Sequence, residues 1–312
     1  MSWSPEVEEL NRRKAMAMEM GGRERVARQH EAGRLTVRER IARLADRGTF
    51  REIGAIAGTA RYDETGTLAA FSPANCVFGF GEIAGRSIVI AGDDFTLRGG
   101  SADASIWEKF KTAERLAFQY RIPLIRLVEG SGGGGSVRSL EKSGYANLPG
   151  GVGGQSGGLH LCCANLAAVP VVGLALGSVA GLGAGRVCIS HYSIMVRDMS
   201  AMFVAGPPVV ERLGEKRTKQ DLGGWRIQLA AGTVDHVAAS EDEAFAVARR
   251  FLSYLPSSVW ELPPRVESDD SPTRRDEALL SIVPRDARGA YRMHRIIESV
   301  CDQGSFFEMC EH

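Results

Sequence analysis

Residues 171–184, which read VVGLALGSVAGLGA, carry the pattern that decides the fold. The first six, residues 171–176, are aliphatic or glycine and predict a buried β-strand. Three glycines then occur within residues 177–184, which predicts a glycine-rich turn, and a helix is predicted to start near Ala180. A strand, a turn and a helix in this order are typical of α/β proteins.

The apolar stretch around this motif is long enough to cross a membrane, because residues 161–185 contain no charged side chain. Two features argue against a membrane span. Pro170 divides the stretch, and five glycines follow between Gly173 and Gly185. The two halves also differ in pattern, so the stretch is predicted to form a buried helix, a strand and a second helix, and no membrane partner is expected.

The same alternation of strands and helices extends over the central part of the chain. Further strands are predicted at residues 87–91, 122–128, 194–196 and 233–237, and helices at residues 103–120, 159–168 and 241–255. This order indicates an α/β layer architecture. The first 47 residues are rich in Arg, Glu and Met at helical spacing, and they predict surface helices that precede the core.

These boundaries divide the chain into a helical segment (1–47), a main domain (48–255), a linker (256–290) and a short final segment (291–312). Five of the twelve prolines fall within the linker. Beyond it, IESVCDQGSFFEM at residues 297–309 repeats IARLADRGTFREI at residues 41–53. We therefore expect the final segment to be the truncated start of a duplicated domain, with apolar residues such as Phe306 and Phe307 left without a core to enter.

Composition and charge exclude several classes of function. Lys plus Arg and Asp plus Glu each number 38, so no net charge attracts nucleic acid or an anionic membrane. The six cysteines form no Cys-x-x-Cys pair, which argues against a zinc ribbon and predicts reduced thiols. The acidic N-terminus lacks the apolar core of a signal peptide, so we expect a cytoplasmic protein. The cysteine spacing gives no zinc site, and we expect no metal in this chain.

Three familiar motifs occur in contexts that do not support them. Residues 130–135 match Gly-x-Gly-x-x-Gly, but the acidic residue that a dinucleotide fold needs about 20 residues further on is missing. Residues 154–158 match Gly-x-Ser-x-Gly, yet a glycine-rich loop precedes them where a nucleophile elbow requires a strand. His160 and His191 lie in no metal-ligand spacing and are predicted to be structural.

A pair of glycine-rich turns remains, at residues 129–135 and 177–184, each after a predicted buried strand. Two such turns can present backbone N–H groups to one point, and the first N–H groups of a helix after the second turn favour a developing oxyanion. Glycine also lets a substrate approach that backbone closely. The structural alternative is that these glycines only permit tight packing of strands and helices.

Six short blocks carry a resemblance to a known family, and this resemblance covers the chain from about residue 20 to its end. They are residues 35–40 (LTVRER), 94–101 (DFTLRGGS) with Lys109, 131–133 (SGG), 195–198 (MVRD), 202–207 (MFVAGP) and 222–224 (LGG). Together they resemble the β subunits of biotin-dependent acyl-CoA carboxyltransferases, of the propionyl-CoA and methylcrotonyl-CoA carboxylase type. The resemblance implies an α/β, crotonase-like (ClpP/crotonase) ββα superhelix, with one full domain that binds acyl-CoA and the truncated start of a second.

The same resemblance implies a reaction and its site. CO2 passes from N1′ of biotin to the α-carbon of an acyl-CoA, through an enolate that backbone N–H groups stabilise. The oxyanion turn of the family falls on Ala180, Gly181 and Leu182, with Gly181 and Leu182 as backbone donors. Acyl-CoA binding falls on Ala180 and on Gly99, Gly100, Ser101, Ser131, Gly132, Gly133 and Gly134. Leu182 stands where the family has a glycine, and Gly135 stands where it has an arginine. Because of these differences, the resemblance does not identify the acyl group of the substrate.

The resemblance further implies partners: a biotin carboxylase and biotin carrier subunit, the C-terminal carboxyltransferase half, and further copies in a homo-oligomer. The 312-residue chain alone is therefore expected to be inactive. Two alternatives stay open. One is a split or non-catalytic subunit that binds acyl-CoA without turnover. The other is a crotonase-type hydratase or isomerase, which needs glutamates as acid and base, although no acid occurs between Ala180 and His191.

Overall fold

A twisted sheet forms the centre of the chain, and the computed structural model describes residues 2–130, 141, 144 and 158–310. Within these residues the sheet contains β1 (Arg51–Ile53), β4 (Cys76–Ile83), β5 (Arg86–Asp93), β6 (Leu124–Gly130), β7 (Val171–Ala180), β8 (Tyr192–Val196), β9 (Ala201–Phe203) and β10 (His236–Ala238). The order is β1-β4-β5-β6-β7-β8-β10, and β9 pairs with β7. A separate hairpin joins β2 (Gly58–Tyr62) to β3 (Leu68–Pro73).

The direction of the strands changes across the sheet. β1, β4 and β5 pair antiparallel, whereas β5, β6, β7, β8 and β10 pair parallel. Leu124 lies opposite Val171, so β6 and β7 start together and their carboxyl ends point to the same edge. Every residue of β6 is buried, as expected for a parallel strand that is covered on both faces.

Helices cover both faces of this sheet. The helices of the described residues are α1 (Ser4–Met18), α2 (Arg23–Glu31), α3 (Val37–Leu44), α4 (Trp107–Tyr120), α5 (Leu159–Leu166), α6 (Leu182–Cys188), α7 (Pro207–Glu211), α8 (Lys219–Gly223), α9 (Trp225–Ala230), α10 (Glu241–Ser253) and α11 (Met293–Val300). α3 and α10 pack on one face, over side chains such as Leu127 and Leu174. α4 packs on the other face, over Val89 and Leu124. The predicted α/β layer architecture is therefore confirmed.

The helix, strand and helix predicted for the apolar stretch are present as α5, β7 and α6. β7, however, continues to Ala180 where the sequence predicts a turn after residue 176. The reason is tertiary, because Ser178, Val179 and Ala180 pair with β9, and β9 follows some 20 residues later in the chain. The turn is therefore confined to Gly181. None of the described helices is both long and apolar enough to cross a membrane.

The N-terminal segment is helical as predicted, but its third helix is not on the surface. Val37, Ile41 and Leu44 lie at helical spacing on α3 and belong to the main core. Arg40, on the same buried face, is only 1% exposed because it forms ion pairs with Glu129 and Glu241. The prediction of surface helices is therefore wrong for α3. Its sequence is rich in charged residues, and for that reason the apolar residues at helical spacing were not recognised as a buried face.

The strands before residue 87 were absent from the sequence prediction, and β4 shows why. Gly79 and Gly81 interrupt its apolar pattern. In the sheet, however, Gly79 is required, because a Cβ atom there would lie 2.0 Å from the carbonyl oxygen of Arg51 on β1. β10 is also shifted, to His236–Ala238 from the predicted residues 233–237. Helix α4 begins at Trp107, after 3-10 turns at Arg98–Gly100 and Ala102–Ala104.

The final segment packs on the first domain. Phe307 contacts the core, and its ring lies 5.6 Å from those of Tyr192 and Tyr254 and 6.5 Å from that of Phe251, between ring centroids. The expectation that this segment has no core to enter is therefore wrong for Phe307. Val300 on α11 remains 67% exposed. The preceding residues 256–290 contain a 3-10 turn, Glu277–Leu280, and no other helix or strand in the part of the chain described.

Candidate functional site

The carboxyl ends of β5, β6 and β7 lie side by side at one edge of the sheet. A glycine-containing segment follows each strand: Arg98–Gly100 after β5, Gly130 at the end of β6, and Gly181 with Gly183 after β7. In α/β sheets, ligands bind beyond the carboxyl ends of the strands. This edge, which we call the glycine edge, is therefore the candidate site.

Gly100 brings the segment after β5 into backbone contact with the end of β6. Its φ of 65° is a left-handed conformation that favours glycine. A Cβ atom at Gly100 would lie 2.5 Å from the carbonyl oxygen of Glu129 and 2.8 Å from Cα of Gly130. A Cβ atom at Gly183 would in turn lie 3.0 Å from the carbonyl oxygen of Gly130. Three backbone segments thus meet at Gly130.

Gly181 and Leu182, the expected backbone donors, lie where β7 turns into α6. Gly181 has a φ of 56° and a ψ of −122°, which glycine adopts without strain. Its N–H donates to the carbonyl oxygen of Phe203 on β9, at 2.9 Å. The N–H of Leu182, the first residue of the helix, has no acceptor among the described residues. Within the described part of the chain the N–H of Leu182 is therefore an unused donor, whereas the N–H of Gly181 is already engaged.

Arg126 on β6 holds the far end of α6. It is fully buried, and its Nη1 donates to the carbonyl oxygen of Arg186 at 3.0 Å and to that of Ile189. Its Nε and Nη2 donate to the carboxylate of Glu114 on α4, at 2.7 and 2.8 Å. Burial acts to raise the pKa of Glu114, but the charge and hydrogen bonds of Arg126, with a hydrogen bond from Asn165, together outweigh burial and lower it. This ion pair joins α4, β6 and α6.

Asp93, the last residue of β5, connects α6 to the glycine edge. Its carboxylate accepts from Nη1 of Arg186 at 3.1 Å and from the N–H of Glu129, also at 3.1 Å. Burial raises the pKa of Asp93 and is only partly offset by the charge of Arg186. The Arg186 guanidinium also stacks over Phe110, with its carbon 4.6 Å from the ring centroid. Asp93 therefore positions backbone and is not free to exchange protons with a ligand.

Glu129 is the second fully buried carboxylate at this edge, and the sequence analysis missed it. It accepts hydrogen bonds from Arg34 and Arg40, both at 2.5 Å, and from Nε2 of Gln29 at 2.9 Å. Arg40 also binds Glu241 on α10, at 2.9 Å. A glutamate at the end of an apolar strand, directly before a glycine run, was the signal available in the sequence. These contacts tie α2, α3 and α10 to the end of β6.

The structure brings together only some of the residues expected to bind acyl-CoA. Gly99, Gly100 and Ala180 lie at the glycine edge. Ser101 is buried, and its carbonyl oxygen accepts from Nδ2 of Asn75 at 2.7 Å, which supports the loop itself. The rest of the predicted first turn, after Gly130, lies outside the described residues; it comprises Ser131, Gly132, Gly133, Gly134 and Gly135.

Histidine and cysteine chemistry takes no visible part at this edge. His191 accepts from the N–H of Val171 through Nδ1 and contacts the carbonyl oxygen of Leu166 through Nε2, as a structural histidine does. Burial raises the pKa of the Cys76 thiol to about 12 and that of Cys162 to about 11. In the part of the chain described, no group of three His, Cys, Asp or Glu side chains is placed to hold a metal ion.

Comparison with known proteins places these features in a family. The model of the carboxyl transferase domain matches residues 28–312. The chain is 33% identical to the carboxyltransferase subunit of propionyl-CoA carboxylase from Haloferax mediterranei, over all of this chain and 59% of that protein. It is 30% identical to the alpha subunit of methylmalonyl-CoA decarboxylase from Veillonella parvula, over 97% of this chain and 58% of that protein.

A solved structure gives the same result for the fold. The transcarboxylase 12S hexamer with methylmalonyl-CoA and methylmalonic acid bound superposes with a TM-score of 0.83 at 26% identity, over 99% of this chain and 59% of that chain. The expected crotonase-like α/β fold is thereby confirmed. The chain spans somewhat over half the length of the relatives that it matches. By its fold and by the family match over most of its length, the chain belongs to the carboxyl transferase domain family.

Proposed function

We propose that the chain is the acyl-CoA-binding part of the carboxyltransferase of a biotin-dependent acyl-CoA carboxylase. The observation that carries the proposal is the family match over residues 28–312, combined with the meeting of Gly100, Gly130 and Gly183 at one edge of the sheet. When bound, carboxybiotin supplies the CO2 and the base for the α-proton. The chain itself supplies backbone donors at a narrow, glycine-lined edge.

The N–H of Leu182, which has no acceptor in the part of the chain that the structure describes, is the proposed donor to the thioester oxygen. A donor at this point lowers the energy of the enolate, because negative charge develops on that oxygen as the α-proton leaves. The N–H of Gly181 could join it only by sharing or losing its bond to Phe203. The buried pairs Arg126–Glu114 and Arg186–Asp93 keep α6, and hence Leu182, in place. Preorganised donors of this kind need no rearrangement during the reaction.

The hydratase or isomerase alternative receives no support from the glycine edge. Such chemistry needs a carboxylate that is free to move a proton. Asp93 at the end of β5 and Glu129 directly before Gly130 are both buried and bound by arginines. Carboxyl transfer, in which the enolate forms without an acidic or basic side chain of this protein, agrees better with these buried carboxylates than hydratase or isomerase chemistry does.

The acyl group and the partners are also part of the proposal. Propionyl-CoA is the first substrate to test, because several relatives are propionyl-CoA carboxylase subunits. We infer that carboxyl transfer requires a biotin carrier and the C-terminal carboxyltransferase half, and that the assembled enzyme is a homo-oligomer, as the transcarboxylase 12S hexamer is. The six cysteines are free thiols, which suits the reducing conditions of the cytoplasm.

The test removes the Leu182 N–H without removing the helix. Proline is tolerated at the first position of a helix, so Leu182→Pro deletes the donor, and Leu182→Ala is the matched control that keeps it. Calorimetric titration then compares propionyl-CoA with CoA. We expect Leu182→Pro to weaken propionyl-CoA binding about fivefold relative to Leu182→Ala, since one hydrogen bond contributes ~1 kcal/mol. CoA affinity should stay the same, because CoA lacks the carbonyl group.

Two outcomes bear on the proposal. Equal propionyl-CoA affinities for the proline and alanine variants, with both folded by circular dichroism, would exclude Leu182 as the donor. If the unsubstituted chain bound neither CoA nor propionyl-CoA, the proposal that it binds acyl-CoA would be refuted.

A further inference from the structure

A mainly apolar cavity of about 320 Å³ lies at the edge of the sheet opposite the glycine edge. Side chains of α5 and α10 line it, together with Val169 and Pro170 directly before β7 and Met309 of the final segment. β7 runs from this cavity to the glycine edge over Val171–Ala180, which is roughly 30 Å at the usual rise of a strand. The cavity, which we call the apolar cavity, is therefore separate from the glycine edge.

The apolar cavity offers no charge to a ligand. Of the described residues that line it, only His191 and Ser258 have polar side chains. Both ring nitrogens of His191 are engaged, because Nδ1 accepts from the N–H of Val171 at 3.1 Å and Nε2 donates to the carbonyl oxygen of Leu166 at 2.9 Å. Burial lowers the pKa of His191 from its ordinary value of 6.5, so the ring is neutral at pH 7. A charged ligand would lose its hydration here without compensation.

The hydroxyl of Ser258 is the one unused polar group in this lining, within the part of the chain described. Ser258 is only 1% exposed, and its Oγ has no hydrogen-bond partner among the described residues. The neighbouring backbone is held in place, because the N–H of Val259 donates to the carbonyl oxygen of Ala168 at 3.0 Å. A buried hydroxyl without a partner is destabilising. A ligand with an acceptor would supply the missing hydrogen bond.

We propose that the apolar cavity binds a small uncharged molecule with an apolar body and one acceptor, such as a carbonyl oxygen, for the hydroxyl of Ser258. At about 30 Å³ for each water-sized group, the cavity holds about ten non-hydrogen atoms. Because its walls come from the main domain and from Met309, a bound molecule also stabilises the attachment of the final segment. This site does not depend on the proposed function.

The test compares three probes that have the same number of non-hydrogen atoms. Acetophenone carries a carbonyl acceptor, cumene is a hydrocarbon of similar shape, and benzoate is charged. Ligand-observed nuclear magnetic resonance titrations measure their affinities for the 312-residue chain and for Ser258→Ala, which removes the unpartnered hydroxyl and breaks no hydrogen bond among the described residues. We expect acetophenone to bind Ser258→Ala about fivefold more weakly, the effect of one hydrogen bond, and cumene to bind both proteins equally. Benzoate should not bind.

A second pair of variants locates the probes in the protein. Val259 lines the apolar cavity and is 63% exposed, so Val259→Trp places a large ring there without disturbing the core. Leu262→Trp is the matched control, because Leu262 is 87% exposed and does not line the cavity. We expect Val259→Trp to abolish binding of acetophenone and cumene, and Leu262→Trp to preserve it. Saturating acetophenone should also slow hydrogen exchange over residues 291–310.

Each contrary result removes a specific part of the proposal. Equal acetophenone affinities for Ser258→Ala and the unsubstituted chain would exclude the hydroxyl as the donor. Acetophenone binding that survives Val259→Trp, or no binding by the unsubstituted chain, would overturn the apolar cavity as a site. Benzoate that binds as tightly as acetophenone would overturn the preference for an uncharged ligand. Displacement of acetophenone by CoA would overturn the separation from the glycine edge, whereas a chain that binds acetophenone but not CoA would contradict only the proposed function.

Discussion

At the scale of single residues, the close backbone contacts of the glycine edge require positions at which a Cβ atom would overlap with neighbouring atoms. Gly99 and Gly100 have nearly the same positive φ, 63° and 65°. Their surroundings differ, because a Cβ atom at Gly99 would meet only the ring of Phe95 at 3.9 Å, whereas one at Gly100 would meet the carbonyl oxygen of Glu129 at 2.5 Å. The two residues therefore separate backbone strain from steric overlap.

We predict that Gly100→Ala destabilises the protein by about 2–3 kcal/mol more than Gly99→Ala. Both variants place alanine in a left-handed conformation, but only alanine at position 100 forces the segment after β5 away from β6. Urea unfolding followed by circular dichroism measures the two free energies. Equal decreases in the free energy of unfolding for the two variants would mean that the segment after β5 can move away at little cost, and that its contact with Gly130 does not fix its position.

At the scale of secondary-structure elements, buried ion pairs set the position of α6. Arg126 binds the last carbonyl groups of that helix from β6, and Glu114 on α4 neutralises its charge. The helix is only seven residues long, so its own hydrogen bonds contribute little to its position. Its placement therefore depends on side chains from two other elements, and these side chains are distant in the sequence.

We predict that Arg126→Met destabilises the protein by about 3–5 kcal/mol at pH 7, because Glu114 is left as a buried, unpaired charge. The effect should shrink in acid. In the unsubstituted protein the lowered pKa of Glu114 contributes stability above the ordinary value of 4.5, and this contribution is lost as the pH falls through the folded-state pKa. In the variant the charge and hydrogen bonds of Arg126 no longer oppose burial, so the pKa of Glu114 rises and protonation relieves the destabilisation.

Urea unfolding at pH 7 and pH 4 measures this difference for both proteins. The matched control is the double variant Glu114→Gln/Arg126→Met, which removes the buried charge and should recover part of the stability at pH 7. A difference between protein and single variant that stays constant from pH 7 to pH 4 would show that packing, and not charge, accounts for the loss.

At the scale of the whole molecule, the two ends of the chain are joined through the core. α3 from the N-terminal segment lies against α10, and Arg40 bridges Glu129 and Glu241 across the sheet edge. Phe307 from the final segment reaches Tyr192, Phe251 and Tyr254 on the same face. Residues far apart in the chain thus share a single hydrophobic core.

We predict that Phe307→Ala destabilises the protein by about 1–2 kcal/mol, less than for a fully buried phenylalanine because this side chain is partly exposed. It should also raise hydrogen exchange over residues 291–310, since the segment loses its anchor. Val300→Ala is the matched control, because Val300 is 67% exposed and should change neither quantity. Fast exchange of this segment in the unsubstituted chain would show that the contact of Phe307 is too weak to hold it.

The sequence by itself determined the α/β order, the apolar strands β5 to β8, the helices that flank them and the glycines that follow β6 and β7, because these signals are local patterns of side-chain type. It also carried the family resemblance that the comparisons confirm. The extension of β7, the burial of Arg40 and the packing of Phe307 were decided by the tertiary structure alone. Each depends on a partner distant in the chain.

The same reason divides the candidate site. The motif at residues 180–182 could be found by its letters, but the engagement of the Gly181 N–H depends on Phe203, a residue of another strand that accepts its hydrogen bond. Likewise, Ser258 is an ordinary linker serine in the sequence, and only the packing of that segment beside α5 and α10 places its side chain at a cavity. Local pattern specifies the backbone elements, whereas contacts between distant elements specify which groups a ligand meets.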